Sequence, residues 1–246
     1  MWTRALLLVF AVGCAGIEDV DTIEGRSSDN ANVAVAKNAL NIASPCQTFS
    51  ARGRAFGLKL AALGILDIAP SPDTNSMNPT NLARLIVNLP LGVGISLANT
   101  LFSVEDVATN DDCMATDIAT ATTNALSLSL LGLNLSATTL RATASSTASA
   151  EGVSASAAGS LVQNLRINGR DYAEVTGPLT ITVRAPLLGT PIAEVRVLET
   201  IPGNNTANSA SLQVNALHVI LLDGATDIIV AHAETQAEAH PCGCGS

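Results

Sequence analysis

Three histidines and five cysteines hold most of the chemistry that this sequence could perform. The C-terminal stretch HPCGCGS offers His240, Cys242 and Cys244 as soft ligands for zinc or copper. A zinc site also needs a fourth ligand and a spacing that bends round the ion, so no metal is expected. In an oxidising compartment, Cys242 and Cys244 are expected in disulfides instead, with their partners left open. His218 and His232 allow two arrangements. A five-residue loop from Asp223 to Asp227 sets them opposite each other, where two imidazoles could hold a metal or sense pH. A two-residue Asp223-Gly224 turn sets His218 opposite Ile229 and leaves two surface histidines, which is the expectation here. Acids occur singly or in loop clusters such as Asn110-Asp111-Asp112, which offers too few oxygen ligands for calcium. No pair of acids is set face to face by sequence alone. The patterns GxSxG and HExxH, a phosphate-cradling glycine loop and an EF-hand are all absent. Charges fall mostly at turns and polar strand positions, where solvation explains them. No catalytic residue and no cofactor is therefore assigned, and the chain is not expected to be an enzyme.

The remaining cysteines say where the chain goes. After Arg4, an apolar run from Ala5 to Gly13 has about half the ~20 residues of a membrane helix. It matches the charged, apolar and small-residue order of a signal peptide, assigned to 1–13. The AVGC that closes the run resembles the lipobox of bacterial lipoproteins, although Ala11 stands where leucine is commoner. This resemblance implies a diacylglyceryl group on Cys14, which becomes the new N-terminus. Its acyl chains would anchor the protein stably. Ordinary signal peptidase cleavage after Gly13 or Ala15 is the alternative and would give a secreted protein. Residues 14–44 then form a lipid-anchored tether, since Ile17 to Asn30 is too polar to bury. The expected location is the outer membrane or cell surface. Cys46 and Cys113 flank the first third of the folded part and are expected to pair. A loop of that length lends about 4 kcal/mol in the chain-entropy model.

Composition narrows the partners. The formal charge of -9 argues against nucleic acid, whose binding rests on neutralising phosphates. Aromatic residues make up only 2% of the chain, and Trp2 and Phe10 leave with the signal. Stacking platforms for sugars or bases are correspondingly scarce. Expected partners are the membrane, through the lipid on Cys14, and envelope or matrix polymers or other surface proteins.

From Cys46 onward the hydrophobic period is two. In NALSLSLLGLNLSATTL, a two-residue turn at Leu131-Gly132 pairs 130 with 133, 128 with 135 and 127 with 136. Leu126, Leu128, Leu130, Leu133 and Leu135 then share one face, and Ser127, Ser129, Asn134 and Ser136 the other. Leucine suits such a turn poorly, so a bulge at Gly132 that swaps the strand's faces is an alternative. Asn168-Gly169 in RINGRD signals a type I′ hairpin, which would set Arg166 opposite Asp171. Many strands, frequent turns and almost no helical period predict an all-β fold. It is expected to be an antiparallel β-sandwich or barrel built from hairpins. One domain is expected over 45–239, followed by a Cys-containing tail, 240–246.

The segments SARGRAFGLKLAALGI, NALSLSLLGLNLSATTLRATASSTAS, GSLVQNLRINGRDYAEV, LTITVRAPLLGT and SASLQVNALHVILLDGATDIIVAHAET resemble, in that order, the choice-of-anchor P proteins of bacteria. The resemblance runs from about Ser50 to Thr235. It implies an exported surface domain and brings no catalytic residues. The expected function is a non-catalytic structural or adhesive role on the envelope, with a small-ligand or glycan-binding module as the alternative. A concave cleft lined by Tyr172, Arg or convergent acids would favour the alternative.

Overall fold

Strand segments in which every second residue is apolar must bury one face, and the simplest solution is a second such sheet laid over it. The computed structural model describes residues 47–62, 66–74, 83–90, 95–111, 113–130, 132–185, 189–221 and 226–241. The signal peptide 1–13, the tether 14–44, and Cys14, Cys46, Cys242 and Cys244 lie outside them. The described residues form β1 (Gln47–Ala62), β2 (Leu66–Asp73), β3 (Ala83–Pro90), β4 (Ile95–Asn110), β5 (Met114–Leu130), β6 (Leu133–Ser149), β7 (Gly152–Ser156), β8 (Leu161–Ile167), β9 (Arg170–Val175), β10 (Leu179–Arg184), β11 (Pro191–Pro202), β12 (Ser209–Leu221) and β13 (Thr226–Pro241). Sheet A has the order β10-β11-β12-β13-β1-β2, and sheet B the order β3-β4-β5-β6-β8-β9, with β7 also paired to β6. All pairings are antiparallel. The two open sheets make a β-sandwich; they do not close into a barrel.

The leucine hairpin adopts the register read from its sequence. Leu130 pairs with Leu133, Leu128 with Leu135 and Ser127 with Ser136. All five leucines are buried, so Gly132, at φ 88°, serves the turn and not a face-swapping bulge. The second hairpin also forms as expected. Asn168 and Gly169 take φ 47° and 83°, and Arg166 Nε lies 3.3 Å from Asp171 Oδ1. The backbone N–H of Asn134 donates to Asn168 Oδ1 at 2.7 Å, which docks this turn against the start of β6.

Simple alternation does not run the length of the strands. On β13 the inward residues run Thr226, Ile228 and Val230, then Ala231, Ala233, Thr235 and Ala237, while His232, also buried, stacks on Phe56. The inward parity switches at Ala231, which holds the left-handed φ of 55°. β12 switches in the same row, burying Val219 and Leu217 and then Ala216 and Val214. Pairing is unbroken across the line, with Asn215 opposite His232 on one side and Leu217 opposite Val230 on the other. Both strands spend one residue there, so neither bulges against its partner. Leu198 on β11, at φ 50°, belongs to the same row. Sheet B carries a second such line through Ala125 on β5 and Asn164 on β8, at φ 54° and 51°. A left-handed conformation costs a non-glycine residue about 1–2 kcal/mol, and burial on both sides of the line must offset it.

The switch divides the interior. On one side Leu126, Leu128, Leu130, Leu133, Leu135, Leu217 and Val219 fill the main core. Toward the far end the buried residues become alanines, ending in a separate cluster of Ala51, Ala115, Ala148 and Ala237. Between the large core and this small one lies a polar layer, described next.

Candidate functional site

Two arrays of polar side chains stand out: one on the outer face of sheet A, the other inside the sandwich. The outer array follows from register. Ser211, Gln236 and Arg52 form one row across β12, β13 and β1, and Gln213, Glu234 and Arg54 form the next. Arg54 donates from Nε and Nη2 to the two oxygens of Asp73 at 2.8 and 2.6 Å, a bidentate pair. Arg52 donates from Nε and Nη2 to Gln236 Oε1 at 3.3 and 2.9 Å. Gln236 in turn donates to Glu238. These rows line a surface hollow of about 480 Å³, bounded also by Asp73 and Gly203. That volume falls within the usual range of small-molecule sites.

The network continues past the hollow. Phe56 stacks on His232 with centroids 4.3 Å apart and 15° between planes. His232 Nδ1 lies 2.6 Å from Asn215 Oδ1, and Asn215 Nδ2 donates to Glu199 Oε2 at 2.8 Å. Arg196 donates to Glu199 Oε1 at 2.7 Å and also pairs with Glu194. His218 lies between two acids, with Nδ1 2.7 Å from Glu199 Oε2 and Nε2 2.7 Å from Asp227 Oδ1. Burial pushes the Glu199 carboxyl up, but hydrogen bonds from Asn215, Arg196 and His218 outweigh it and hold the group below its ordinary value. A hydrogen bond from His232 does the same for Glu234, against burial and aided by the charges of His232 and Arg54.

The histidines therefore take the two-residue-turn register, with His218 opposite Ile229. They are not simply two surface residues, however. His232 is only 6% exposed, and both histidines belong to one hydrogen-bonded web through Asn215 and Glu199. Both ring nitrogens of His218 are thus held by carboxylates.

The inner array is the polar layer of the core. Asp106 on β4 and Asp117 on β5 sit diagonally across their ladder, 3% and 0% exposed. Thr235 of the opposite sheet donates to Asp117 Oδ2 at 2.6 Å, and its hydroxyl meets that of Ser146 at 2.5 Å. Gly53 closes the layer. A Cβ there would lie 2.1 Å from Asp117 Oδ2 and 2.8 Å from Asp106 Oδ1. Burial pushes Asp117 up to about 7, against the Thr235 hydrogen bond and with the help of the Asp106 charge. Burial also raises Asp106, opposed by its hydrogen bond with Asp117.

This pair corrects the expectation that no two acids face each other. It also corrects the view that charges here belong to turns and solvated positions. The signal was in the alternation: Asp117 shares the inward parity of Ala115, Ala119 and Ala121, and Asp106 that of Phe102 and Val104. Other expected sites fall elsewhere. Tyr172 lies on β9 at the edge of sheet B with Arg170 over its ring, away from the hollow. His240 approaches Glu238 at 3.0 Å. Cys113 is exposed in the β4–β5 turn, and Asn110 beside it accepts a hydrogen bond from the Ala51 backbone at 2.8 Å. No protein family, curated protein or solved structure matches this chain.

Proposed function

We propose that this chain is an exported, non-catalytic surface domain of the cell envelope, held by a lipid on Cys14, that adheres to polar polymers through the outer face of sheet A. The observation that carries this reading is the hollow. Two rows of Arg, Gln, Glu and Ser side chains converge there in strand register. They offer donors and acceptors side by side, which suits hydroxyl-rich or charged polymers such as polysaccharides. The resemblance to choice-of-anchor P proteins belongs to the same proposal. The size of the hollow favours a second reading, a small-ligand or glycan-binding module.

One experiment with two arms tests the proposal. Full-length protein should partition into detergent, and Cys14→Ser should move it to the aqueous phase. The mature domain should bind members of a polysaccharide array, with Arg52→Ala weakening binding about tenfold, the effect of losing ~1.4 kcal/mol. Unchanged partitioning refutes the anchor, and binding indifferent to Arg52→Ala refutes the hollow. Binding only to mono- and disaccharides selects the second reading.

We also propose that Cys46 bridges Cys113. The Ala51–Asn110 hydrogen bond supports this, because it ties the start of β1 to the end of β4, beside the turn that holds Cys113. Peptide mapping without reductant should recover the two cysteines as one linked species. Recovery of both as free thiols would refute the bridge.

A further inference from the structure

We propose that Asp106 and Asp117 form a buried site for a single proton, which the two carboxyl groups share and which joins the sheets at this end of the sandwich. The argument is one of unmet hydrogen bonds. Counted as two carboxylates, Asp106 Oδ1 and Asp117 Oδ1 are both buried without a partner. Such atoms are costly, and two adjacent negative charges compound the cost. Asp117 Oδ2 and Asp106 Oδ1 approach the same point above Gly53, 2.1 and 2.8 Å from where its Cβ would stand, and both residues are almost wholly shielded from water. One proton placed between them resolves both problems. It removes a charge and gives the two carboxyl groups a hydrogen bond to each other, while Asp117 Oδ2 keeps the bond from Thr235.

Among the described residues, the surroundings leave no other source of compensation. β1 turns Gly53 toward the pair and sends Arg52 and Arg54 to the outer face, where Gln236 and Asp73 hold them. β13 presents Thr235 and sends Glu234 and Gln236 outward to the hollow. β6 presents Ser146. On β4 and β5 the neighbours Glu105, Val107 and Ile118 are exposed and Thr116 is half-buried. Among the described residues, no Lys, Arg or His contributes to the state of either acid. A divalent cation is a poorer occupant, since calcium takes six or more oxygens and Gly53 closes the space.

Stability should then follow the proton. The folded value of Asp117 lies above the ordinary 3.8. Its contribution is therefore complete below pH 3.8, declines as the pH rises, and is gone above about 7. The melting midpoint of the mature domain should fall by about 5–10 °C from pH 5 to pH 9. Asp117→Asn and Asp106→Asn each supply a permanent donor in place of the proton. Each should flatten this slope and melt above the wild type at pH 9. Independently, the wild type at pH 6 should show the infrared carbonyl band of a protonated carboxyl group, and Asp117→Asn should lose it. If that variant fails to fold, Asp106→Asn and the wild-type band still decide the matter. A wild-type slope retained in both variants, or no such band, overturns the proposal. So does calcium that restores the wild-type melt at pH 9, which would make the pair a cation site.

Discussion

Leu128→Asp is expected to unfold the domain, while Ser129→Asp, one residue along, leaves it nearly as stable as the wild type. Leu128 is 3% exposed and pairs with Leu97 on one side and Leu135 on the other, both buried. The core cluster that holds it is wholly hydrophobic, so a carboxylate there finds no side-chain donor within the cluster. The change loses the transfer energy of a buried leucine, about 2 kcal/mol, and adds the cost of an unpaired buried charge. Together these exceed about 4 kcal/mol, a large part of the 5–15 kcal/mol that holds an ordinary domain together. Protonating the new acid limits the loss only at low pH. Ser129 is half-buried on the outer face of sheet B, between Ser96 and Asn134 in register, where a carboxylate reaches water. Its change should cost no more than about 0.5 kcal/mol. Thermal melts of the two variants check the assignment of faces, and equal destabilisation would refute it.

The same hairpin shows what was legible in the sequence. Leucine and serine differ so much in hydrophobicity that their alternation fixes both face and register, and Asn168-Gly169 fixes the next hairpin through its backbone preference. Farther along β5 the contrast fades. In MATDIATATTNA, alanine and threonine are both small and tolerated on either face, so nothing in the polarity marks the switch at Ala125. Leu198 and Ala231 are equally silent, because neither residue type favours a left-handed φ. The outer web could not be read because it joins residues from β11, β12, β13, β1 and β2, which meet only once the strand order of sheet A is known. The acid pair lay closer to view. Its parity put both residues inside, but an unpaired aspartate in a core contradicts the usual rule. The proton proposed above is what would let each acid serve as the other's partner.

Gly53→Ala is expected to cost about 3 kcal/mol, by the same geometry that packs the acid pair. Gly53 takes no left-handed φ, so it is needed for space, not for backbone freedom. The added methyl would sit 2.1 Å from Asp117 Oδ2 and 2.8 Å from both Asp117 Cγ and Asp106 Oδ1. Overpacking of this kind usually costs about 1–3 kcal/mol. Here the displaced carboxyl also gives up its hydrogen bond from Thr235, leaving buried groups unsatisfied for about 1–3 kcal/mol more. Some of this is recovered as the acid side chains shift. The clash is chiefly with Asp117, and that makes the explanation testable by a double-mutant cycle. Asp117→Ala removes two of the three contacts at a stroke. Gly53→Ala introduced into Asp117→Ala should therefore cost at least about 1 kcal/mol less than it does in the wild type, measured by urea unfolding at pH 5. Additive effects would mean that the glycine serves the strand itself and that the acid pair does not press against it.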